Sequence, residues 1–75
     1  MIDAQVISVG EILASARKKK RLRYKKLSSE LNIDEIYLIA LEEGNFDLIP
    51  GGEAYVKGFI RSYAKKLDLN PDDVI

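Results

Sequence analysis

The stretch LSSELNIDEIYLIALEEG, residues 27–44, decides how this chain folds. Two short segments with an apolar helical pattern meet at Asn32, a residue that readily takes the left-handed conformation in which helices end. Asp34 then stands where a helix N-cap belongs, and Gly44 is a natural stop for the helix that follows. We therefore predict a short helix before the turn and another over 35–43, which together make a helix-turn-helix.

The flanking segments predict an all-helical chain. Ser8 precedes Glu11 by three residues, the spacing of a capping box, so the first helix should run over 9–20. A second helix over 24–31 enters the turn, the longest helix follows over 53–67, and a last one begins after Asn70. We predict an all-α, five-helix bundle whose helix-turn-helix resembles that of phage-repressor DNA-binding domains. We expect the apolar loop residues to fold back onto the core: Phe46, Leu48 and Ile49.

Composition limits the chemistry of this chain. Its 75 residues include no Cys and no His, which excludes a Cys/His zinc site and a Ser–His or Cys–His nucleophile pair. The carboxylates are dispersed, and no glycine-rich phosphate loop follows a strand. No apolar run reaches the roughly 18 residues of a membrane span. We expect one domain over 9–75 after a tail at 1–8, with no enzymatic activity, small-molecule substrate, cofactor or metal.

Most of the basic residues lie in one segment. RKKKRLRYKK, from Arg17 to Lys26, holds eight of the twelve Lys and Arg, although the net charge of the chain is zero. Several roles remain open for it: a solvated corner paired with acids of a neighbouring helix, or contact with an acidic protein, an anionic lipid surface or loosely held nucleic acid. The candidates for contact with an anionic surface are Arg21, Arg23, Lys25 and Lys26.

The predicted third helix argues against reading of DNA sequence. In a DNA-binding helix-turn-helix, the first residues of this helix enter the major groove. Placing its residues at intervals of about 100° predicts an exposed side that is mainly acidic. That side carries Glu35, Ile39, Glu42 and Glu43. Because phosphates would repel this acidic side, we expect no specific DNA binding by the third helix. The alternative function for the chain is a nucleic-acid-binding regulator that uses the basic segment from Arg17 to Lys26.

The predicted fourth helix carries an aromatic row. Tyr55, Phe59 and Tyr63 stand four residues apart and belong to an apolar arc about 180° wide, whereas a core-facing helix needs about 100°. Tyr63 lies near the middle of the arc, where a core position competes with a contact role. Tyr55 and Phe59 lie at its edge, so we predict their partial exposure. Exposed aromatic side chains beside cations are typical of protein-binding surfaces.

Three segments resemble the N-terminal cytoplasmic domain of the RodZ family of bacterial cell-shape proteins. They are VGEILASARKKK at 9–20, ALEEGNFDLIPGG at 40–52 and YVKGFIRSYAKKLDLNPDDVI at 55–75. The resemblance implies a five-helix domain that binds the bacterial actin homologue MreB, chiefly through the fourth helix. Such a domain tethers MreB filaments to the membrane and the cell-wall elongation machinery and so maintains rod shape. The resemblance also implies a cytoplasmic fragment of a longer, single-pass inner-membrane protein whose transmembrane helix lies further along.

The resemblance also assigns roles to residues. The aromatic anchors for MreB would be Tyr55, Phe59 and Tyr63. The charged helpers, pairing with acids on MreB, would be Arg61 and Lys66. The family usually has Gly near Arg21, Ser or Thr near Arg23, and acids near Lys25 and Lys26. This chain has a basic residue at all four positions, which favours contact with an anionic surface.

A purely structural, self-associating module is the remaining alternative for the function of the chain.

Overall fold

A computed structural model describes residues 8–74 of the chain. These residues form five α-helices and one 3-10 turn, and they contain no strand. The helices are α1 Val9–Lys19, α2 Tyr24–Leu31, α3 Glu35–Glu43, α4 Glu53–Lys66 and α5 Pro71–Val74. The predicted all-α, five-helix architecture is confirmed. The predicted tail at 1–8 lies outside the described residues, apart from Ser8.

The helix boundaries follow from local capping chemistry. Ser8 and Glu11 form the predicted capping box, in which each side chain accepts a hydrogen bond from the other's backbone N–H, both at 3.1 Å. Asn32 ends α2 in the left-handed conformation with φ 57°, and Gly44 ends α3 with φ 76°. The prediction for Asp34 was wrong in one respect: it occupies the N-cap position of α3, but its side chain makes no capping hydrogen bond within the described residues.

The helix-turn-helix closes over aliphatic side chains. Leu27 of α2 and Leu38 and Leu41 of α3 are fully buried, and Ile33 in the turn is only 6% exposed. Leu13 of α1 and Ile60 of α4 belong to the same core. The apolar spacing in α2 and α3 therefore turns one side of each helix toward a shared interior, as the sequence predicts.

The first and third helices approach each other closely at Gly10. This glycine is buried in the first turn of α1. A Cβ atom placed on it would lie 2.6 Å from the carbonyl carbon of Glu42 and 2.8 Å from the carbonyl oxygen of Leu41, both in the backbone of α3. Real Cβ atoms essentially never come that near, so the packing of α1 on α3 requires a residue without a side chain at this position.

The loop between α3 and α4 only partly follows the prediction. Ile49 is buried with 4% exposure, as expected, but Phe46 and Leu48 are 37% and 53% exposed. The reason is the single 3-10 turn Phe46–Leu48. Such a turn directs successive side chains about 120° apart, so they cannot all face the core.

Candidate functional site

An aromatic patch lies where α3 meets α4, and we define it as Tyr37, Tyr55 and Phe59. The Phe59 ring centroid is 5.9 Å from that of Tyr55, in an edge-on arrangement, and 6.1 Å from that of Tyr37. Tyr55 is 57% exposed, whereas Phe59 and Tyr37 are half-buried. The predicted partial exposure of Tyr55 and Phe59 is confirmed. Phe59 holds both neighbours in place, since aromatic pairs at this spacing attract each other beyond their area burial.

Tyr37 is a member of the patch that was not predicted from the sequence. The structure leaves it half-buried because it lies at the margin of the α3 core side, against Phe59. The sequence contains no signal for this contact, since it depends on how α4 crosses α3.

The anchor role that the resemblance implies for Tyr63 conflicts with its position in the structure. Its side chain is 0% exposed, so it lies beneath the surface of α4 and not on it. It occupies the middle of the apolar arc of α4, where the competing core prediction placed it. The Tyr63 hydroxyl donates a hydrogen bond to the Glu42 carboxylate, which gives its polar atom a partner inside the core.

The two proposed charged helpers already have acidic neighbours within the domain. The Lys66 ammonium lies 2.5 Å from the Glu30 carboxylate on α2, so the Lys66 side chain extends toward α2. The Arg61 guanidinium lies 3.6 Å from the Asp72 carboxylate, and both side chains are more than half exposed. Exposed pairs of this kind are worth little, so Arg61 remains able to pair with another acid.

Small residues border the aromatic patch along α4. Ala54, Gly58 and Ser62 line a shallow depression with Tyr55 and Phe59. Apart from its chain neighbours and the adjoining backbone of α4, a Cβ on Gly58 would meet no atom of residues 8–74 within 4 Å. Packing inside the described domain therefore does not require a glycine in the middle of this helix.

A partly buried polar network joins four helices, and we call Arg17, Tyr24, Glu42 and Tyr63 the Glu42 network. The Arg17 Nε donates to Glu42 Oε2 at 2.7 Å, and the Tyr24 hydroxyl donates to Glu42 Oε1 at 2.7 Å. The Arg17 guanidinium also lies 4.3 Å from the centre of the Tyr24 ring. Glu42 was predicted to lie on the exposed side of α3, and this was wrong: its side chain is 5% exposed. Glu42 follows Leu38 by four residues, so it lies on the buried side.

The ionisation of these groups follows from their contacts. Burial opposes the charged form of Glu42, but hydrogen bonds from Arg17, Tyr63 and Tyr24 outweigh it and lower the pKa of its carboxyl. Burial, together with the hydrogen bond to Glu42, raises the pKa of the Tyr63 hydroxyl. The hydrogen bond to Glu42 raises the pKa of Arg17. Near neutral pH the network is therefore a carboxylate held by one guanidinium and two neutral hydroxyls.

We predict that acid weakens the fold through Glu42. Because its folded-state pKa lies below the ordinary value of 4.5, its contribution is fully present above that value and is lost as pH falls through the folded pKa. The urea concentration at the unfolding midpoint should therefore decrease once the pH is lowered below about 4.5. In Glu42→Gln the midpoint should fall less steeply over this range. In Glu43→Gln, an exposed neighbour, it should run parallel to the wild type; equal slopes in all three proteins would contradict the prediction.

The basic segment divides into paired and exposed cations. Arg17 binds Glu42, Lys20 lies 2.8 Å from Asp68, and Lys26 lies 3.4 Å from Glu30. These contacts confirm in part the prediction of a corner paired with neighbouring acids. The remaining cations are exposed and form no ion pair within residues 8–74. They are Lys18, Lys19, Arg21, Arg23 and Lys25.

The outer surface of α3 is acidic and apolar. Asp34, Glu35 and Glu43 are exposed, as predicted. The exposed aliphatic residue is Ile36, with 57% of its surface accessible, whereas Ile39, predicted to be exposed, is half-buried. A helix with this surface offers no cation to a phosphate backbone, which is the main source of affinity for nucleic acid.

The part of the chain that the structure describes contains neither a membrane-spanning helix nor a metal-binding cluster. No helix within residues 8–74 has the length and apolar character needed to cross a membrane. The same residues contain no cluster of acidic side chains placed to hold a metal ion.

Comparison with known proteins places the chain among larger relatives. It is 46% identical over 48 residues to the uncharacterized membrane protein YmfM of Bacillus subtilis. The matched region covers 64% of this chain and 16% of that protein. It is 37% identical over 70 residues to an uncharacterized protein of Haemophilus influenzae. Here the matched region covers 93% of this chain and 23% of that protein. The matched regions thus span less than a quarter of either relative. No solved structure matches the chain significantly.

The match to a family agrees with the architecture. The profile of a family described as a helix-turn-helix domain matches residues 12–74, from the first turns of α1 to the end of α5. That range includes the turn at Asn32, the Glu42 network and the aromatic patch. The chain therefore belongs to the helix-turn-helix domain family.

Proposed function

We propose that this domain is a protein-binding module that binds the bacterial actin homologue MreB through the aromatic patch of Tyr37, Tyr55 and Phe59. The observation that carries the proposal is the exposure of Tyr55, which is 57% accessible although it belongs to the apolar side of α4. A large aromatic residue left in solvent beside other aromatic side chains is typical of an interface anchor. The resemblance of residues 40–52 and 55–75 to the RodZ family supplies the identity of the partner.

The charges of the domain favour a protein partner over DNA. The helix that would enter the major groove carries Asp34 and Glu35 at its start, and both are exposed. Arg61, two residues after Phe59 on α4, is held within residues 8–74 by a long and exposed contact with Asp72. In the proposed complex Arg61 exchanges this contact for an acid on MreB. Lys66 contributes less directly, because it already pairs with Glu30.

A membrane connection is part of the proposal. The relative from Bacillus subtilis is a membrane protein of which the matched region is a small part. We infer that this domain is likewise the cytoplasmic portion of a longer, single-pass inner-membrane protein in which it tethers MreB filaments near the membrane and the cell-wall elongation machinery. The domain acts by binding and not by catalysis, with no cofactor and no small-molecule substrate, since its chemistry consists of aromatic and ionic contacts.

Replacing Tyr55 by Ala tests the interface. Co-sedimentation with polymerised MreB should show an affinity at least about 30-fold weaker than that of the wild type, since truncating an interface anchor costs about 2 kcal/mol or more. The melting temperature should barely change, because Tyr55 is exposed. Leu48→Ala is the matched control: Leu48 is 53% exposed but belongs to the 3-10 turn, so its binding should equal that of the wild type. Tyr63→Ala is unsuitable, because loss of a buried side chain would unfold the domain.

Other outcomes of this experiment would reject the proposal. If wild-type protein does not pellet with MreB, or if Tyr55→Ala pellets as well as the wild type, the aromatic patch is not an MreB interface. The dependence of binding on salt concentration distinguishes this proposal from the alternative of a nucleic-acid-binding regulator. Binding driven by phosphate contacts weakens linearly on a log–log plot against salt concentration, whereas binding through aromatic anchors changes modestly.

A further inference from the structure

Two arginines occupy backbone positions at which other residues would stabilise the fold better. Arg21 has φ 56°, a left-handed conformation that side chains disfavour and glycine accepts freely. Arg23 is the N-cap of α2, and its side chain makes no capping hydrogen bond, whereas Ser or Thr would make one. Both side chains are exposed and form no ion pair within residues 8–74. Neither charge therefore helps the described domain to fold, so a role outside the fold accounts for them better.

The two arginines border a shallow hollow with a strongly positive wall. Its lining consists of Arg21, Leu22, Arg23, Lys25, Lys26, Ser29 and Glu30. The one acid of this lining is already neutralised: Glu30 lies 2.5 Å from the Lys66 ammonium and 3.4 Å from that of Lys26. The bonds from these lysines also lower the pKa of the Glu30 carboxyl, so it stays ionised and paired.

We propose that this basic corner, in which Arg21, Arg23 and Lys25 line the hollow and Lys18 and Lys19 precede them at the end of α1, binds the phosphate headgroups of an anionic lipid surface. All five side chains are exposed, and they lie within eight consecutive residues at the end of α1 and the start of α2. Cations presented together near a membrane each add attraction to anionic headgroups. Leu22, half-buried in the hollow, gives the corner a small apolar floor.

The geometry favours a lipid surface over duplex DNA. In a helix-turn-helix the start of the second helix contacts the backbone while the start of the third enters the groove. Docking Arg23 and Lys25 on a duplex would therefore bring Asp34 and Glu35 against phosphates. A bilayer presents its charges in a plane, so the corner can meet it without the start of α3.

A soluble phosphate would also be held poorly. The hollow is shallow and open, and its cations are spread along two helix ends, so one phosphate could meet few of them. A bilayer offers many headgroups at once, which raises their effective concentration at the corner. The inference goes beyond the proposed binding of MreB and does not depend on it, because different residues carry the two contacts.

The test is sedimentation of the whole chain with vesicles of phosphatidylcholine, with or without an equal share of phosphatidylglycerol. The test variant is Arg21→Gly with Arg23→Ser, which removes two cations from the corner. Its partitioning to anionic vesicles should weaken about 25-fold, since each cation near an anionic surface is worth about a factor of five. Its melting temperature should rise by about 5–10 °C, because the strained residue is relieved and α2 gains a cap. Loss of binding in a more stable protein cannot result from unfolding.

The matched control is Lys57→Gln with Lys65→Gln, which removes two exposed cations from α4 and gives the same net charge. Its partitioning should stay within about twofold of the wild type, because these lysines lie outside the corner. Equal losses in both double variants would show that net charge, and not the corner, drives binding. The proposal is also overturned if neutral vesicles bind as well as anionic ones, if inorganic phosphate displaces the protein from vesicles more effectively than sodium chloride of equal ionic strength, or if a short DNA duplex binds more tightly than the vesicles.

Discussion

Glu42→Gln is expected to lower the free energy of unfolding by about 3 kcal/mol, measured by urea denaturation at neutral pH. The carboxylate accepts from Arg17 at 2.7 Å and from Tyr24 at 2.7 Å, and it also accepts from the buried Tyr63. An amide can accept some of these bonds but carries no charge. The Arg17 side chain is only 13% exposed, so the substitution leaves a largely buried guanidinium without its counter-charge. Breaking a buried pair from one side costs far more than the pair itself contributes.

Glu43→Gln supplies the control for this measurement. Glu43 is the next residue of the same helix, but it is exposed, and it forms no ion pair with any described residue. The same chemical change there should alter stability by no more than about 0.5 kcal/mol. If both variants unfold at the same urea concentration, the Glu42 network is not the link between α1, α2, α3 and α4 that its geometry indicates.

The helix boundaries were predictable because they depend on neighbours in the sequence. The capping box of Ser8 and Glu11, the left-handed Asn32 and the terminating Gly44 each use residues within a few positions of one another. The backbone groups that they satisfy are those of the helix end itself. Such signals need no knowledge of the tertiary structure, so the all-α order and the helix-turn-helix could be derived from the sequence.

The Glu42 network could not be predicted in the same way. Glu42 is 25 residues from Arg17 and 21 from Tyr63 along the chain. The four-residue spacing from Leu38 indicates that Glu42 lies on the buried side, but the cation and the two hydroxyls that meet it come from three other helices and leave no local signal. The same long-range packing hid the role of Tyr37, which joins the aromatic patch only because α4 places Phe59 beside it.

For Tyr63, two kinds of prediction conflicted, and the physical one was correct about burial. The resemblance to the RodZ family implied an anchor, whereas the centre of the apolar arc of α4 indicated a core position. The side chain is 0% exposed and fills the interior between helices. Tyr63 can still influence the patch indirectly, since it fixes α4, and with it Phe59 and Tyr55, against α3 through Glu42.

The close approach of α1 to α3 leads to the second large effect. Gly10→Ala should destabilise the domain by about 3 kcal/mol, because the added methyl would overlap the α3 backbone at Glu42 and Leu41. Backbone atoms cannot rotate away as a flexible side chain can, so relief requires α1 to move. Movement of α1 would also displace Arg17 from Glu42, which adds the loss of a buried ion pair to the steric cost.

Gly58→Ala makes this prediction sharp, because it is the same substitution in a helix with open space. Apart from its chain neighbours and the adjoining backbone of α4, no atom of residues 8–74 lies within 4 Å of the position that the new methyl would take. Alanine should therefore stabilise α4 by about 1 kcal/mol through its better helix propensity. Urea denaturation followed by circular dichroism should thus move the two variants in opposite directions from the wild type. If Gly10→Ala also gained stability, α1 would not lie against α3 as described, and Arg17 could not reach Glu42 by this route.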